Sequence, residues 1–269
     1  MTEARTYLYV PAHRPERFAK ALASGTDEVI LDLEDAVPID AKDHARAAAA
    51  SLLAGTERAW VRINVGERGL ADVAAIASSP GLAGVIVPKA SVDALAGVRA
   101  AAPGVGMCAL VESAAAIASA GAIASSDGVG RVALGEVDLG ADLRLGSDPL
   151  PEVLWALRTL VVVAAAAAGA PPPIGPVPLD IHDVDGLRRS THDLRRAGFW
   201  SRQIIHPAQV EVVHEVLTPT TEERDRATEL LALAAAADGG VFVDAQGRMV
   251  DEAVLRSARR VLDVARRPG

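Results

Sequence analysis

Eight short runs of apolar and β-branched residues recur along the chain. Runs that are apolar throughout are typical of parallel strands buried on both faces, and the helix-length segments between them indicate repeating strand–helix units. Eight such units predict a closed (β/α)8 barrel, which typically needs about 250 residues. The predicted strands are Thr6–Val10, Glu28–Asp32, Trp60–Asn64, Gly84–Lys89, Gly106–Glu112, Arg131–Gly135, Val177–Ile181 and Gln203–His206.

Charged or polar side chains stand where most of these runs end. The carboxyl ends of parallel barrel strands lie on one rim, and the active sites of barrel enzymes are built there. We therefore expect groups that bind metal, carboxylate or phosphate to gather at one end of the barrel. The trailing residues include Asp32, Glu34, Arg62, Lys89, Glu112, Asp138, Asp180 and His206.

The chain length favours a single domain. Its 269 residues leave room for one barrel and little more, and no linker or block of like charge divides them. The proline-rich stretch Gly169–Pro178 is interpreted as a stiff loop leading into the seventh strand. We predict one α/β domain over residues 1–269, a TIM barrel followed by a C-terminal helical segment.

Composition narrows the setting of the protein. The apolar stretch Val161–Ala168 ends before Pro171 and is shorter than the ~20 residues that span a bilayer, so no membrane partner is expected. No basic segment followed by an apolar run marks a signal peptide. The single Cys108 lies in a predicted strand, where a small buried hydrophobe is expected, and it fits a reducing cytoplasm.

The charge balance argues against a nucleic-acid partner. The net charge is −8, from 27 basic and 35 acidic residues, and no long basic stripe is present. An anionic substrate would therefore need a local positive cluster. Such a cluster occurs at His13, Arg14, Arg17 and Lys20, at the start of the first helix. These side chains would hold phosphates or would serve only as solubilising surface charges.

Two carboxylates are the candidate metal ligands. Glu112 and Asp138 each follow a predicted strand and would project into the same rim. Mg²⁺ prefers a few hard oxygen ligands and keeps positions open for a substrate. The alternative is that each carboxylate caps the helix that follows it. Glu136 would share a direction with Asp138 if the extended geometry persists beyond Gly135. It is therefore kept as a second, weaker candidate for the ligand role.

Arg62 is the candidate for binding a carboxylate. It interrupts an apolar run, and its guanidinium can hold a planar carboxylate through two parallel hydrogen bonds. The alternative is a structural ion pair with the loop that carries Asp32, Glu34 and Asp35, whose three carboxylates need a cation among them. The two interpretations are compatible if Glu34 or Asp35 holds Arg62 in position while its free edge faces the substrate.

Two further residues allow other chemistry. One interpretation of Lys89 is a Schiff-base lysine, as in an aldolase, which requires desolvation. The alternative is that Lys89 pairs with the acidic rim. His206 could act as an acid or base or could have a packing role. The six histidines show neither HxH nor HExxH spacing, so a zinc site is not indicated.

Seven segments of the chain resemble, in order and spacing, the citrate lyase β-subunit-like proteins of the HpcH/HpaI aldolase and citrate lyase family. The resemblance runs from about Thr6 to the carboxyl terminus. It implies a Mg²⁺-dependent lyase that makes or breaks a carbon–carbon bond in a 3-hydroxyacyl coenzyme A thioester, such as a citryl, malyl or citramalyl thioester, with a 2-ketoacid as the other partner. The segments are RTYLYVPAHRPERFAKAL, VILDLEDAVP, WVRIN, GVIVPKAS, ALVESAAAI, LGEVDLGADL and IIHPAQVEVV.

The resemblance also implies roles for individual residues. Glu112 and Asp138 would bind the metal, and Arg62 would bind the substrate carboxylate or ketoacid. Independently of the resemblance, we predict Glu34 and Asp35 as catalytic residues beside Arg62. The general base stays open between Glu34, His206 and a water at the metal. The remaining implications are a coenzyme A entrance near Arg14 and Lys20, and assembly into a homotrimer or a hexamer of trimers.

Two other functions stay open at this point. One is a metal-dependent pyruvate aldolase that acts on free hydroxyacids without coenzyme A. The other is a binding or assembly subunit that is active only inside a larger lyase complex, because the barrel fold alone does not establish an activity.

Overall fold

A computed structural model describes residues 4–55, 58–146, 149–236 and 240–265. The chain divides into two compact units, residues 4–213 and the residues from His214 onward. The first unit holds eight parallel strands that close into a barrel, so the predicted (β/α)8 barrel is confirmed. That the whole chain forms one domain stays a prediction.

The barrel strands follow the predicted runs at seven of eight places. Successive strands are hydrogen-bonded in sequence order, and the eighth closes on the first. Their bounds are β1 Thr6–Pro11, β2 Glu28–Asp32, β3 Ala59–Arg62, β4 Leu82–Val87, β5 Met107–Val111, β6 Val129–Leu134, β7 Ile174–Gly175 and β8 Ser201–Ile204.

The seventh strand lies earlier than predicted. It consists of Ile174 and Gly175 alone, inside the proline-rich stretch, whereas Val177–Ile181 forms a loop. The sequence-based placement was wrong because proline cannot donate to a sheet ladder, which argued against a strand there. The chain pairs only where it has no proline: Ile174 lies opposite Ala133 and Ser201.

Helices connect the strands. Several begin at polar caps: Ser91 and Ser113 accept hydrogen bonds from the amides of Ala94 and Ala116, which satisfies otherwise unpaired N–H groups. The barrel unit contains α1 Glu16–Leu22, α2 Lys42–Leu53, α3 Gly66–Ile76, α4 Val92–Ala101, α5 Ala114–Ala118, α6 Ala120–Ala124, α7 Glu136–Asp142, α8 Pro151–Ala167, α9 Val184–Ala197 and the first residues of α10 Val210–Leu217, with 3-10 turns at Ile39–Ala41 and Pro207–Gln209.

The C-terminal unit is a small helical assembly with its own core. It contains α11 Thr221–Ala236, a two-stranded antiparallel sheet of β9 Phe242–Val243 and β10 Met249–Val250, and α12 Glu252–Ala265. Its buried core is formed by Ala227, Leu230, Val250, Leu255 and Ala258. None of the helices in the described ranges of either unit is long and apolar enough to cross a lipid bilayer.

The barrel interior is filled by two aromatic rings among small residues. Tyr7 and Trp60 meet edge to face at 6.5 Å, and they pack with aliphatic residues, Ala133 and Cys108. Cys108 is fully buried in β5, as predicted, and burial raises the pKa of its thiol to about 12. The interior thus relies on the few aromatic residues of the chain as well as on aliphatic ones.

The strand register sets the site. Pro11 of β1 lies opposite Asp32 of β2, and Asp32 lies opposite Arg62 of β3. These residues are the last of their strands, so their side chains meet at the carboxyl-terminal rim. The ring of polar groups expected at the strand ends therefore begins with an aspartate beside an arginine.

We predict that Gly84→Ala destabilises the barrel by about 1 to 3 kcal/mol, because the core has no room for a methyl group there. A Cβ at Gly84 would lie 2.6 Å from the Trp60 ring and 2.8 Å from the Gly106 carbonyl oxygen. Gly97→Ala is the matched control: its nearest neighbour is 3.8 Å away, and in helix α4 alanine should stabilise by about 0.5 to 1 kcal/mol. Urea unfolding measures both, and equal stability of Gly84→Ala and the parent would contradict this account.

Candidate active site

A cavity of about 230 Å³ opens at the carboxyl-terminal rim of the barrel. We call it the mouth cavity. Part of its lining is apolar and is formed by Leu110, Leu134 and Val177. The charged residues that line it are Asp32, Asp35, Arg62, Glu112, Glu136 and Asp138. The structure thus brings together both predicted metal ligands and the predicted carboxylate-binding arginine.

Arg62 is held by a two-point ion pair with Asp32. Its Nε and Nη2 atoms donate to the two Asp32 carboxylate oxygens at 2.7 and 2.6 Å. Its Nη1 lies 3.1 Å from Glu34 Oε2 and 3.6 Å from Asp35 Oδ2. The guanidinium carbon lies 5.0 Å from the centre of the Tyr9 ring. These contacts fix the plane of the guanidinium before any ligand arrives.

Asp32 is the partner that the sequence analysis did not single out. Glu34 or Asp35 was the residue predicted to hold Arg62, whereas in the structure these two only flank the pair of Arg62 with Asp32. Asp32 is fully buried and also accepts the amide N–H groups of Glu34 and Ala36. Its position opposite Arg62 is set by the strand register, which the pattern along the chain does not encode.

A lysine fixes the loop after β2. The Lys42 Nζ donates to the carbonyl oxygens of Leu33 and Glu34 at 2.9 and 2.8 Å. Lys42 is the first residue of α2, so the helix holds the loop that carries Glu34 and Asp35. No pattern along the chain predicts this contact, because it depends on how the loop turns back over the helix.

Glu112 is a buried carboxylate at the end of β5. Its Oε1 accepts the Lys89 amide N–H at 2.7 Å, and Lys89 adopts a left-handed backbone with φ of 45°, which is uncommon for a residue other than glycine. A Cβ at Gly135 would lie 2.8 Å from Glu112 Oε2, so glycine is required there. Burial raises the pKa of Glu112 to about 7, and the nearby Asp138 and Glu34 carboxylates add to this rise.

Asp138 lies in the first turn of α7 and is partly buried. It makes no hydrogen bond or ion pair with any residue that the structure describes, and Glu112 Oε2 likewise accepts no hydrogen bond from them. The predicted alternative, that both carboxylates cap helices, is wrong: Gly135 is the N-cap of α7, and Ser113 caps α5. Two carboxylates therefore face one cavity with unused oxygens.

Glu136 is occupied by an arginine. Arg158 of α8 donates from Nε and Nη2 to the two Glu136 oxygens, at 2.5 and 2.9 Å. The weaker of the two predicted ligands is therefore paired, and Asp138 is the free one.

Glu34 is a second buried carboxylate with a raised pKa. It is 5% exposed, and burial raises its pKa to about 7 even though Arg62 opposes the rise. Its Oε1 lies 3.9 Å from Lys89 Nζ. A group with this pKa can accept or release a proton near neutral pH.

The structure disfavours the Schiff-base role of Lys89 and the acid or base role of His206. The Lys89 side chain is 54% exposed and so lacks the desolvation that a Schiff-base lysine requires. His206 is exposed at the start of the second 3-10 turn, where its Nδ1 accepts the Ala208 amide N–H. The structural role is therefore supported for His206, as a cap and not as a packed side chain.

The basic cluster contributes to a second cavity of about 410 Å³, which we call the basic cavity. Arg17, Lys20, His206 and Ala36 line it. Arg14 is not among its lining residues, is half-exposed, and lies 3.5 Å from Glu16. The geometry thus supports Lys20, adds Arg17, and does not support the role predicted for Arg14.

The donor set of the mouth cavity suits a small hard cation. The described residues contain no group of three or more histidine, cysteine, aspartate or glutamate side chains arranged to hold a metal. What they offer is a pair, Glu112 and Asp138, in an open cavity. One or two carboxylates with several waters is the way in which proteins usually bind Mg²⁺, so the residues present fit the predicted ion.

We predict that Glu112→Gln stabilises the metal-free protein at pH 8 by on the order of 2 kcal/mol. The folded pKa of Glu112 is raised to about 7, above the ~4.3 of an unfolded chain. Its contribution to folding is therefore full at low pH and is lost as the pH rises through 7. Unfolding with a chelator present should show the gain at pH 8 and little gain at pH 4. A variant less stable than the parent at pH 8 would contradict the burial of this charge.

Comparison with known proteins identifies the family. The model of the HpcH/HpaI aldolase/citrate lyase family matches residues 5–207. A citrate lyase subunit beta-like protein of Mycobacterium tuberculosis is 38% identical over 266 residues, which cover 95% of this chain and 93% of the relative. A (3S)-malyl-CoA thioesterase of Cereibacter sphaeroides is 32% identical over 270 residues, covering 96% and 93%.

Solved structures agree with the sequence relatives. The crystal structure of CitE from Mycobacterium tuberculosis, in complex with magnesium, acetoacetate and coenzyme A, is 35% identical, has a TM-score of 0.84, and covers 98% of this chain and 99% of its own. The resemblance found in the seven sequence segments is thus confirmed, and with it the prediction of a lyase-family enzyme. The chain belongs to the HpcH/HpaI aldolase/citrate lyase family.

Proposed function

We propose that this protein is a Mg²⁺-dependent carbon–carbon lyase acting on a 3-hydroxyacyl coenzyme A thioester, with a 2-ketoacid and an acyl thioester as products. The observation that carries the proposal is the pair Glu112 and Asp138, with unused oxygens beside a fixed arginine. The relative crystallised with magnesium, acetoacetate and coenzyme A supports the choice of ion and substrate class.

The metal would be held by Glu112 and Asp138. When bound there, Mg²⁺ supplies positive charge that stabilises the oxygens of the departing 2-ketoacid. The Lys89 amide keeps Glu112 Oε1 engaged, so Oε2 would be the oxygen available to the ion. Gly135 leaves the space that this arrangement needs.

Arg62 would bind the substrate carboxylate. Asp32 occupies the edge of the guanidinium formed by Nε and Nη2, and Glu34 lies 3.1 Å from Nη1. The N–H groups of Nη1 and Nη2 that these contacts leave would bind a ligand in the mouth cavity. Because Asp32 already fixes the orientation of Arg62, little reorganisation is needed when charge develops on the substrate, and such preorganised contacts are the effective ones in catalysis.

Glu34 is the group best suited to move the proton. In the cleavage direction a base removes the 3-hydroxyl proton, the bond between C2 and C3 breaks, and its electron pair forms the thioester enolate as the ketoacid leaves. Protonation of the enolate at C2, by the protonated base or by water, then gives the acyl thioester. A carboxylate with a pKa of about 7 can take that proton at neutral pH. Asp35 stands 3.6 Å from Arg62 Nη1 and helps to balance its charge.

The basic cavity would receive the coenzyme A. Arg17 and Lys20 supply positive charge in a chain whose net charge is −8, and phosphates require such a local cluster. This cavity favours a thioester over a free hydroxyacid. We further infer a cytoplasmic homo-oligomer, a trimer or a hexamer, on the basis of the family resemblance alone.

The direct test is an assay of purified protein with malyl, citramalyl and citryl thioesters, with and without Mg²⁺. Ketoacid release that requires the metal supports the proposal. Turnover of free hydroxyacids at equal rates favours the pyruvate aldolase. Release that begins only when partner proteins are added favours the assembly subunit, and no release from any thioester under either condition contradicts the lyase.

We predict that Arg62→Ala and Asp138→Ala each lower kcat by at least about a hundredfold, because each removes a preorganised contact with developing charge. Glu34→Gln should also lower kcat while leaving Mg²⁺ binding intact. Steady-state kinetics with the preferred thioester measures these effects. Asp43→Ala, which removes an exposed carboxylate on the outer helix α2, is the control and should retain parental turnover.

We predict that Arg17→Ala/Lys20→Ala raises the KM for the thioester about tenfold or more, since phosphate contacts are lost, and leaves kcat and free ketoacid binding nearly unchanged. Arg14→Ala is the matched control, with little effect expected from its half-exposed pair with Glu16. Equal KM values for all three proteins would remove the basic cavity from the account.

A further inference from the structure

Besides the two proposed metal ligands and the carboxylates beside Arg62, one more carboxylate lines the mouth cavity, and an ion pair withholds it from the cavity. Glu136 lines the cavity together with Glu112 and Asp138 and precedes Asp138 by two residues in α7. Both Glu136 oxygens are nevertheless taken by the Arg158 guanidinium, at 2.5 and 2.9 Å. Arg158 belongs to α8, so this pair also joins two helices at the rim.

The pair is well buried, and a second buried arginine interacts with its carboxylate. The Arg158 and Glu136 side chains are 11% and 17% exposed. Arg158 also lies over the Trp155 ring, with its guanidinium carbon 6.0 Å from the ring centre. Arg202 is a second buried arginine whose charge interacts with Glu136. A buried two-point pair of this kind holds its carboxylate in one orientation.

We propose that Arg158 sets the metal preference of the site by sequestering Glu136, so that a bound ion meets two carboxylates and not three. This inference rests on the proposed metal site between Glu112 and Asp138. Mg²⁺ is usually bound by one or two carboxylates and keeps waters that a substrate can replace, whereas Ca²⁺ takes six to eight oxygens in a looser shell. A third carboxylate would favour the larger ion and would fill a position needed by the ketoacid.

The charge of the site explains why an arginine is used. Without Arg158, Glu136 would lose its two-point partner and keep only its electrostatic interaction with Arg202, and a buried charge that is poorly compensated is unfavourable. A cation in the mouth cavity, which Glu136 lines, would compensate it further. Arg158 is thus a positioning residue, which acts on the metal site through Glu136 and touches neither substrate nor ion.

The experiment titrates purified protein with Mg²⁺ alone and with Ca²⁺ alone by calorimetry. Arg158→Met should raise the ratio of Ca²⁺ to Mg²⁺ affinity at least about tenfold, as expected when an oxygen ligand is added for the ion that takes more of them. Arg158→Met/Glu136→Gln should return the ratio to within about twofold of the parent, because no third carboxylate is left. If Arg158 had a merely structural role, its loss would lower the affinities for both ions alike, and Glu136→Gln would not reverse that loss of affinity.

Arg99→Met is the matched control. Arg99 also makes a two-point pair, with Asp127 at 2.7 and 3.0 Å, but away from the mouth cavity, so its loss should leave the affinity ratio unchanged. If Arg158→Met does not fold by circular dichroism, Arg158→Lys takes its place. It keeps the charge but loses the two-point geometry, and it should raise the ratio about threefold.

The outcomes separate this inference from the proposed function. If the parent protein binds Mg²⁺ and Glu112→Gln abolishes that binding, the metal site stands. An unchanged ratio in the folded Arg158 variant, or a raised ratio that Glu136→Gln does not reverse, then overturns the role of Arg158 alone. Absence of Mg²⁺ binding by the parent protein would instead overturn the metal site itself.

Discussion

The two-point ion pair between Asp32 and Arg62 is the contact on which the mouth of the barrel depends. Strand register places the two residues opposite each other, and burial makes the pair obligatory, because neither charge is stable there alone. Asp32 also ties down the loop after β2 through the amides of Glu34 and Ala36. One buried aspartate thus orients the arginine that is proposed to bind the substrate and the loop that carries the candidate base.

The remaining charges of the mouth follow a simple assignment. Arg158 neutralises Glu136, as Arg62 neutralises Asp32. Glu112 and Asp138 are left without a cation among the residues that the structure describes, and their mutual repulsion contributes to the raised pKa of Glu112. The two carboxylates therefore suit a divalent ion. Without that ion, their negative charge reduces the stability of the folded protein.

The sequence predicted the barrel and most of its rim, because buried parallel strands leave long apolar runs and their last residues must meet. It failed where pattern carries no information. Strand β7 has only two residues, and the prolines on either side of it, Pro173 and Pro176, leave no strand pattern in the sequence. The pairing of Arg62 with Asp32, and of Glu136 with Arg158, depends on side-chain directions across different elements, which spacing along one chain does not encode.

The most direct test of the central claim is a crystal structure of the protein grown with Mg²⁺ and a 2-ketoacid. The account predicts one ion bound by Glu112 Oε2 and Asp138, with the ketoacid carboxylate on the free Nη edge of Arg62 and the Asp32 pair unchanged. An ion bound elsewhere, or a ketoacid seated away from Arg62 while Glu112 and Asp138 face apart, would contradict it.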